Sequence, residues 1–131
     1  MDFEFPDDIK YTSTHEWINI ENNKATVGIT DYAQHHLGDI VFVELPKVGI
    51  VFEKGSIAAE IESVKAVGDL IMPLSGAIIA VNENLADTPE IINTSPFKEG
   101  WIIKLELSHP FEIDELLSVE KYIEITQNEK N

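Results

Sequence analysis

The sequence contains no cysteine and no arginine. Without cysteine the polypeptide can form no disulfide and perform no thiol chemistry, so any thiol used in its function must arrive on a prosthetic group. No run of about 18 apolar residues occurs, which excludes a membrane-spanning helix. The first six residues lack the basic and apolar regions of a signal peptide. We therefore expect a protein of the bacterial cytoplasm, or of a mitochondrion only if a presequence has been removed.

Positive charge is also scarce. The chain has 24 acidic residues against 9 basic ones, all of them lysine, and a net charge of -15. A field of that sign repels phosphate backbones and anionic membranes, whereas it favours encounters with proteins that carry basic docking surfaces. We therefore expect no nucleic-acid or membrane partner. The length of 131 residues suits one domain with its own core, so we expect a monomeric single domain over residues 1–131.

Alternating apolar residues and turn residues predict a mainly β chain. Thr30 and Asp31 supply an N-cap for a short helix over Tyr32–Leu37, which Gly38 ends. Helical spacing follows Pro110, with a core over about residues 10–125 and a frayed tail over 126–131. The predicted strands are Glu16–Ile20, Ala25–Ile29, a buried strand at Ile40–Leu45, Ala77–Val81 and Trp101–Leu107.

Lys65 lies between two further strand-like runs, Ile57–Ile61 and Val67–Met72. The short segment that joins these runs should turn back on itself and expose the Lys65 amine to solvent. An exposed lysine has a pKa near ~10.4 and is a poor nucleophile. Lys65 is therefore predicted to be a tethering point for a covalent modification rather than a catalytic amine.

Sequence blocks around this lysine resemble the H-protein family of the glycine cleavage system, over about residues 10–125. The blocks occur in the family's order: Lys10-Tyr11-Thr12, His15-Glu16-Trp17, Val27-Gly28-Ile29-Thr30, Leu37-Gly38-Asp39-Ile40-Val41, Glu44-Leu45-Pro46, Glu62-Ser63-Val64-Lys65-Ala66, Pro73-Leu74-Ser75-Gly76, Asn82, Pro89-Glu90-Ile91-Ile92-Asn93 and Gly100-Trp101. The resemblance implies a barrel-sandwich hybrid, the lipoyl/biotinyl-like hammerhead, built from two small antiparallel sheets with short helices and a C-terminal helix.

The resemblance also implies a function without catalysis by the polypeptide. Lys65 would carry lipoate through an amide, attached by a lipoyl ligase or transferase. The lipoyl arm would shuttle an aminomethyl intermediate and reducing equivalents between three enzymes. These are the pyridoxal-phosphate glycine decarboxylase, the tetrahydrofolate-dependent aminomethyltransferase and dihydrolipoamide dehydrogenase.

Three further residues match positions that the family uses to line the cleft for this arm. Glu16 and Asp69 would pair with the ammonium of a loaded arm while the cleft excludes water. His36 would accept a hydrogen bond from that ammonium or pack against the arm. We expect no metal site, because the adjacent His35 and His36 cannot readily converge on one ion and their spacing matches no helical ligand pair.

Other functions remain open from the sequence alone. A biotinyl carrier uses the same hairpin, although its lysine is normally flanked by methionines rather than by Val64 and Ala66. A lipoyl domain of a 2-oxoacid dehydrogenase typically has aspartate before the lysine. An H-like protein can also serve as a lipoyl donor or relay for other lipoate enzymes, and a structural module would leave the lysine unmodified. A direct enzyme is disfavoured by the lack of cysteine, of a Ser-His-Asp spacing and of a glycine-rich phosphate loop.

Overall fold

Two antiparallel sheets form the framework of the protein in a computed structural model that describes residues 2–129. The strands are β1 (Lys10–Tyr11), β2 (Glu16–Glu21), β3 (Lys24–Ile29), β4 (Ile40–Glu44), β5 (Val51–Phe52), β6 (Ile57–Ser63), β7 (Val67–Ile71), β8 (Gly76–Val81) and β9 (Ile103–Leu107). The larger sheet has the strand order β1-β2-β3-β9-β8-β5 and the smaller sheet has the order β4-β6-β7. The predicted mainly β fold with two antiparallel sheets is confirmed.

Helical segments are short, apart from the one near the C-terminus. They are α1 (Asp31–Leu37), α2 (Asn84–Asp87), α3 (Ile91–Thr94), a 3-10 helix (Pro110–Glu115) and α4 (Val119–Asn128). The prediction for α1 is confirmed in detail, since Thr30 Oγ1 accepts from the Ala33 N–H and Gly38 ends the helix with a φ of 88°. Only glycine adopts that left-handed conformation without a steric penalty. No helix among residues 2–129 is long and apolar enough to cross a membrane.

The first two predicted strands form β2 and β3, which pair as an antiparallel hairpin. Glu21 pairs with Lys24, so Asn22 and Asn23 make a two-residue turn. Asn22 has a φ of 58°, a conformation that asparagine tolerates better than most residues. The alternating apolar residues of both strands therefore face the same side of the larger sheet.

Two expectations were wrong in part. The strand over residues 40–44 is not buried throughout, because Val41 and Phe42 are 52% and 50% exposed. The smaller sheet turns its outer face to solvent, so only Ile40 and Val43 reach the core. The tail predicted to fray begins as ordered helix, since α4 continues to Asn128. Residues 130–131 of that tail lie outside the described residues.

The main core fills the space between the sheets, with buried aliphatic side chains from both. A second, aromatic cluster of Tyr11, Trp17 and Tyr122 packs α4 against the larger sheet. The Tyr11 and Tyr122 rings stack at 4.6 Å, and Trp17 Nε1–H donates to the Pro96 carbonyl over 2.9 Å. The stacking of Tyr122 on Tyr11 holds α4 against the larger sheet, which also determines where the C-terminal end of α4 lies.

A candidate attachment site beside a partly apolar cavity

Lys65 lies at the tip of the hairpin between β6 and β7, as predicted. Glu62 pairs with Val67, and the Ser63 N–H donates to the Ala66 carbonyl over 2.8 Å, so Val64 and Lys65 are the two central residues of the turn. Neither has a positive φ. The Ser63 hydroxyl oxygen accepts from the backbone N–H groups of Lys65 and Ala66, at 3.2 and 2.9 Å. The turn therefore holds a lysine in an unstrained backbone with its side chain exposed.

The turn is also fixed to the segment that follows α1. The Val64 N–H donates to the Asp39 carbonyl over 3.0 Å. A Cβ atom at Gly38 would lie 3.2 Å from Lys65 Cε, so the methylene groups of the lysine pass over the backbone at the end of α1. The side chain thus starts towards the face of α1 that lines a neighbouring cavity.

That cavity has a volume of about 330 Å³, at the lower end of the range for ligand pockets. One wall is the face of α1 that carries Tyr32, His36 and Leu37. Asp69 of β7 and Glu129, just beyond α4, also line it. The lining combines apolar surface with two carboxylates and suits an extended apolar chain that ends in a cation.

His36 and Asp69, two of the three predicted cleft residues, line this cavity. His36 Nδ1–H donates to the Tyr32 carbonyl over 2.9 Å, and the two rings lie 4.2 Å apart. Because a carbonyl can only accept, the neutral His36 ring carries its proton on Nδ1 and leaves Nε2 as an acceptor. Asp69 is exposed at the cavity rim, four residues after Lys65.

Glu16, the third predicted cleft residue, lies behind the cavity wall rather than on it. Its side chain is completely buried, and Oε1 accepts from the hydroxyl groups of Thr12 and Thr14, each at 2.5 Å. Its Oε2 accepts from the Ile71 N–H at 3.1 Å. Burial raises the pKa of Glu16, against the opposing effect of these hydrogen bonds. Glu16 therefore bridges β2 and β7, and reaches the cavity only through Thr14, which lines it.

His15 forms a second part of the lining that the sequence did not indicate. Its Nδ1 lies 2.8 Å from Tyr122 Oη, and its Nε2 lies 3.0 Å from Glu129 Oε1. The ring stacks on Tyr32 with 5.0 Å between centroids. Burial lowers the pKa of His15, although the neighbouring Glu129 carboxylate opposes that shift. His15 therefore lines the cavity and also contacts Tyr122 of α4 and Glu129 just beyond that helix.

The exposed face of the smaller sheet, which meets the cavity rim at Asp69, is acidic. Glu44 pairs with Glu60 and Glu60 pairs with Asp69, so three carboxylates lie side by side across the sheet. Glu62, in the next row, lies between the exposed side chains of Phe42 and Val67. Like charges directly opposite one another destabilise a sheet. Because this acidic face lowers stability, its carboxylates are better explained by a role in recognition than by a role in folding.

No sequence pattern pointed to Glu129. His15 and Glu129 are 114 residues apart, and their contact depends on how α4 packs against the larger sheet. Thr14 and Tyr32 were also missed as cavity residues, although Thr14 lies just before a predicted strand and Tyr32 begins the predicted helix. Within residues 2–129, no group of three or more His, Asp or Glu side chains is placed to hold a metal ion.

A turn that presents one lysine next to an apolar, carboxylate-bearing cavity is the arrangement of a swinging-arm carrier domain. The family model described as glycine cleavage H-protein matches residues 9–129. A glycine cleavage system H protein of Staphylococcus epidermidis is 50% identical to this chain over 120 residues, which cover 92% of this chain and 95% of that protein. The mitochondrial glycine cleavage system H protein 2 of Arabidopsis thaliana is 48% identical over 122 residues, covering 93% and 78% of the two chains.

A solved structure agrees with these sequence relatives. The crystal structure of a glycine cleavage system H protein from Mycobacterium marinum matches with a TM-score of 0.85 at 40% identity, covering 94% of this chain and 98% of that chain. The chain therefore belongs to the glycine cleavage H-protein family.

Proposed function

We propose that this chain is the lipoyl-lysine carrier of a glycine cleavage system, with Lys65 as the attachment residue. Members of the family carry lipoate on a lysine. The observation that carries the assignment to Lys65 is its position as a central, exposed residue of the β6–β7 turn. A ligase or transferase can reach an amine there without unfolding any part of the sheet.

The residues around Lys65 fit a lipoyl arm. The chain has no cysteine, and the bound group would supply a dithiolane that accepts a one-carbon amine fragment and electrons. The lysine methylenes already lie along the end of α1, and the cavity beside them has an apolar wall of Tyr32 and Leu37. Asp69 and His36 Nε2 add acceptors for a cation at the end of the arm.

The polypeptide would tether, orient and shield the arm. Tethering raises the effective concentration of the arm at each partner without any new contact. The cavity reduces access of water to a docked arm, which would slow hydrolysis of its cargo. Glu16 would act indirectly, because its hydrogen bonds fix Thr14 in the cavity lining and Ile71 in the strand that carries Asp69.

We further propose that the chain is a carrier subunit and leaves bond cleavage to its partners. These would be glycine decarboxylase, aminomethyltransferase and dihydrolipoamide dehydrogenase, together with the enzyme that attaches lipoate. The acidic face of the smaller sheet adjoins the Lys65 turn and complements partners that present basic docking surfaces. Since a bacterial relative is 50% identical, we propose the bacterial cytoplasm as its location. We also propose a monomer as its working form.

Intact mass spectrometry tests the attachment directly. The purified chain would be incubated with a lipoyl ligase, lipoate and ATP, and the modified peptide would then be sequenced. We expect one lipoyl increment, on Lys65. Lys54→Arg is the matched control, since Lys54 also adjoins a turn but its Nζ pairs with Glu115 at 3.0 Å. The assignment would be refuted if the chain stayed unmodified, or if the Lys65→Arg variant still gained a lipoyl group. A biotinyl increment on the chain after expression in a biotin-competent host would also refute it.

A further inference from the structure

Glu129 and Asp69 approach the same cavity from two different elements. Asp69 lies on β7, near the attachment turn, whereas Glu129 follows the C-terminal end of α4. The two residues are 60 positions apart in the sequence but share one lining. A cavity that holds two carboxylates and is otherwise largely apolar favours a chain with a positive end over a neutral one.

A hydrogen-bonded series of side chains holds Glu129 in this position. Thr30 Oγ1 accepts from the Ala33 N–H, which leaves its own proton for Tyr122 Oη at 2.7 Å. Tyr122 can then donate to His15 Nδ1 at 2.8 Å. The neutral His15 ring therefore carries its proton on Nε2 and donates it to Glu129 Oε1 at 3.0 Å.

The opposite tautomer is disfavoured by the same geometry. If His15 carried its proton on Nδ1, the lone pair of Nε2 would face the carboxylate oxygen of Glu129 and repel it. The Tyr32 hydroxyl also points to Glu129 Oε1, at the longer distance of 3.5 Å. Both contacts fall on Oε1, so His15 and Tyr32 orient the carboxylate from one side.

Two local features carry a cost in stability that this arrangement explains. His15 adopts a φ of 75°, which is uncommon for a residue other than glycine and costs free energy. Glu129 places a negative charge at the C-terminal end of a helix, where the helix dipole disfavours it. A cation in the cavity would offset the second cost, and the unusual backbone of His15 brings its ring between Tyr122 and Glu129.

We propose that Glu129, oriented by His15, is a binding residue for the cationic end of the arm on Lys65, in the same cavity lining as Asp69. This inference rests on the proposed function, because it takes Lys65 as the attachment point. It goes beyond that function by assigning the end of α4 to arm recognition and by giving His15 a positioning role. The arm would then dock between β7 and α4.

A chemical mimic of the arm tests this without enzymes or lipoate. The chain has no cysteine, so Lys65→Cys creates a single thiol that can be alkylated with a chain ending in a primary ammonium. A reagent of equal length ending in a methyl group gives the neutral comparison. The ring signals of His15 and the backbone signal of Glu129, followed by NMR, report docking of either chain.

We expect the ammonium-ended chain to shift both signals and the methyl-ended chain to be docked about fivefold less, as for a partly exposed ion pair. Glu129→Gln should bring docking of the ammonium-ended chain closer to that of the neutral one, with Asp69 still present in the lining. Glu124→Gln, an exposed substitution on the same helix, is the matched control and should change nothing. Equal shifts from both chains, or full docking in Glu129→Gln, would overturn the inference.

The outcome is independent of the test of the proposed function. If Lys65 accepts no lipoyl group in the mass experiment but the ammonium-ended chain still docks through Glu129, only the proposed function fails. If lipoylation occurs normally but Glu129→Gln docks the chain like the unsubstituted protein, only the role of Glu129 fails.

Discussion

Glu16 and Asp69 are carboxylates near the same cavity, but they lie in contrasting surroundings. Glu16 is completely buried and accepts from two hydroxyl groups and one backbone N–H. Asp69 is exposed on the cavity rim and belongs to a row of carboxylates on the outer face of the smaller sheet. The chain's own donors already occupy the Glu16 oxygens, so Glu16 joins the two sheets, whereas Asp69 remains available to a ligand or partner.

Glycine substitutions should show the largest difference in the free energy of unfolding between the interior around Glu16 and the cavity side around Asp69. A Cβ atom at Gly28, beside Glu16 and its strand, would lie 2.7 Å from Trp17 Nε1 and 2.8 Å from two further indole atoms. We expect Gly28→Ala to lower the free energy of unfolding by about 3 kcal/mol, as for an overpacked core. Gly68→Ala on the cavity side meets only the flexible end of Leu37, at 3.2 Å, and should cost under about 1 kcal/mol. Urea unfolding measures both, and equal losses would contradict the contrast.

Removal of each carboxylate should give the next largest difference. Glu16→Ala leaves the Thr12 and Thr14 hydroxyls and the Ile71 N–H without their acceptor, which should cost about 2 kcal/mol. Asp69→Ala removes an exposed side chain and should change the free energy of unfolding by less than about 0.5 kcal/mol. The contrast would be refuted by an Asp69→Ala protein that is destabilised as much as Glu16→Ala.

The pH dependence of stability should also distinguish Glu16. Burial raises the pKa of Glu16 above its ordinary value of 4.5, so the folded state binds a proton more tightly than the unfolded state. The resulting stabilisation is complete below the ordinary pKa and is lost as pH rises through the raised one. Relative to Glu16→Gln, the unsubstituted protein should therefore lose stability as the pH rises above the ordinary pKa of 4.5. Urea unfolding at several pH values checks the sign, and a relative gain with rising pH would contradict it.

The smallest effect should come from the acidic face itself. Glu60 lies in the middle of the row, between Glu44 and Asp69. If the face guides partners, Glu60→Gln should slow lipoylation of Lys65 by about twofold at low salt, and the difference should vanish at about 0.5 M salt. Glu124→Gln on α4 is the control of equal charge. Identical rates for Glu60→Gln and Glu124→Gln at every salt concentration would exclude steering by this face.

Local sequence signals predicted much of the fold. The β2–β3 and β6–β7 hairpins follow from alternating apolar residues that flank short polar turns, and α1 follows from Thr30 and Gly38 at its ends. The prediction was less accurate where the same residue pattern fits more than one kind of helix. The segment after Pro110 forms a 3-10 helix first, and α4 begins only after Ser118, whose side chain accepts from the Lys121 N–H.

The residues of the cavity were harder to predict than the turn that carries Lys65. Lys65 could be placed because both neighbouring strands are evident in the sequence. Glu16 resembles an exposed strand residue until the positions of Thr12, Thr14 and Ile71 are known. Glu129 depends on the packing of the Tyr11 and Tyr122 rings, which no local pattern specifies. The direct roles of Glu16, His36 and Asp69 towards an arm stay predictions.

The central claim is that Lys65 alone tethers the reacting group and that the polypeptide performs no bond cleavage. The most direct measurement is glycine decarboxylation in a system reconstituted from the lipoylated chain, glycine decarboxylase, aminomethyltransferase and dihydrolipoamide dehydrogenase. Turnover should be sustained by the unsubstituted protein and by Lys54→Arg, and should be absent with Lys65→Arg, which preserves the charge and the turn. Full turnover with Lys65→Arg would contradict the account.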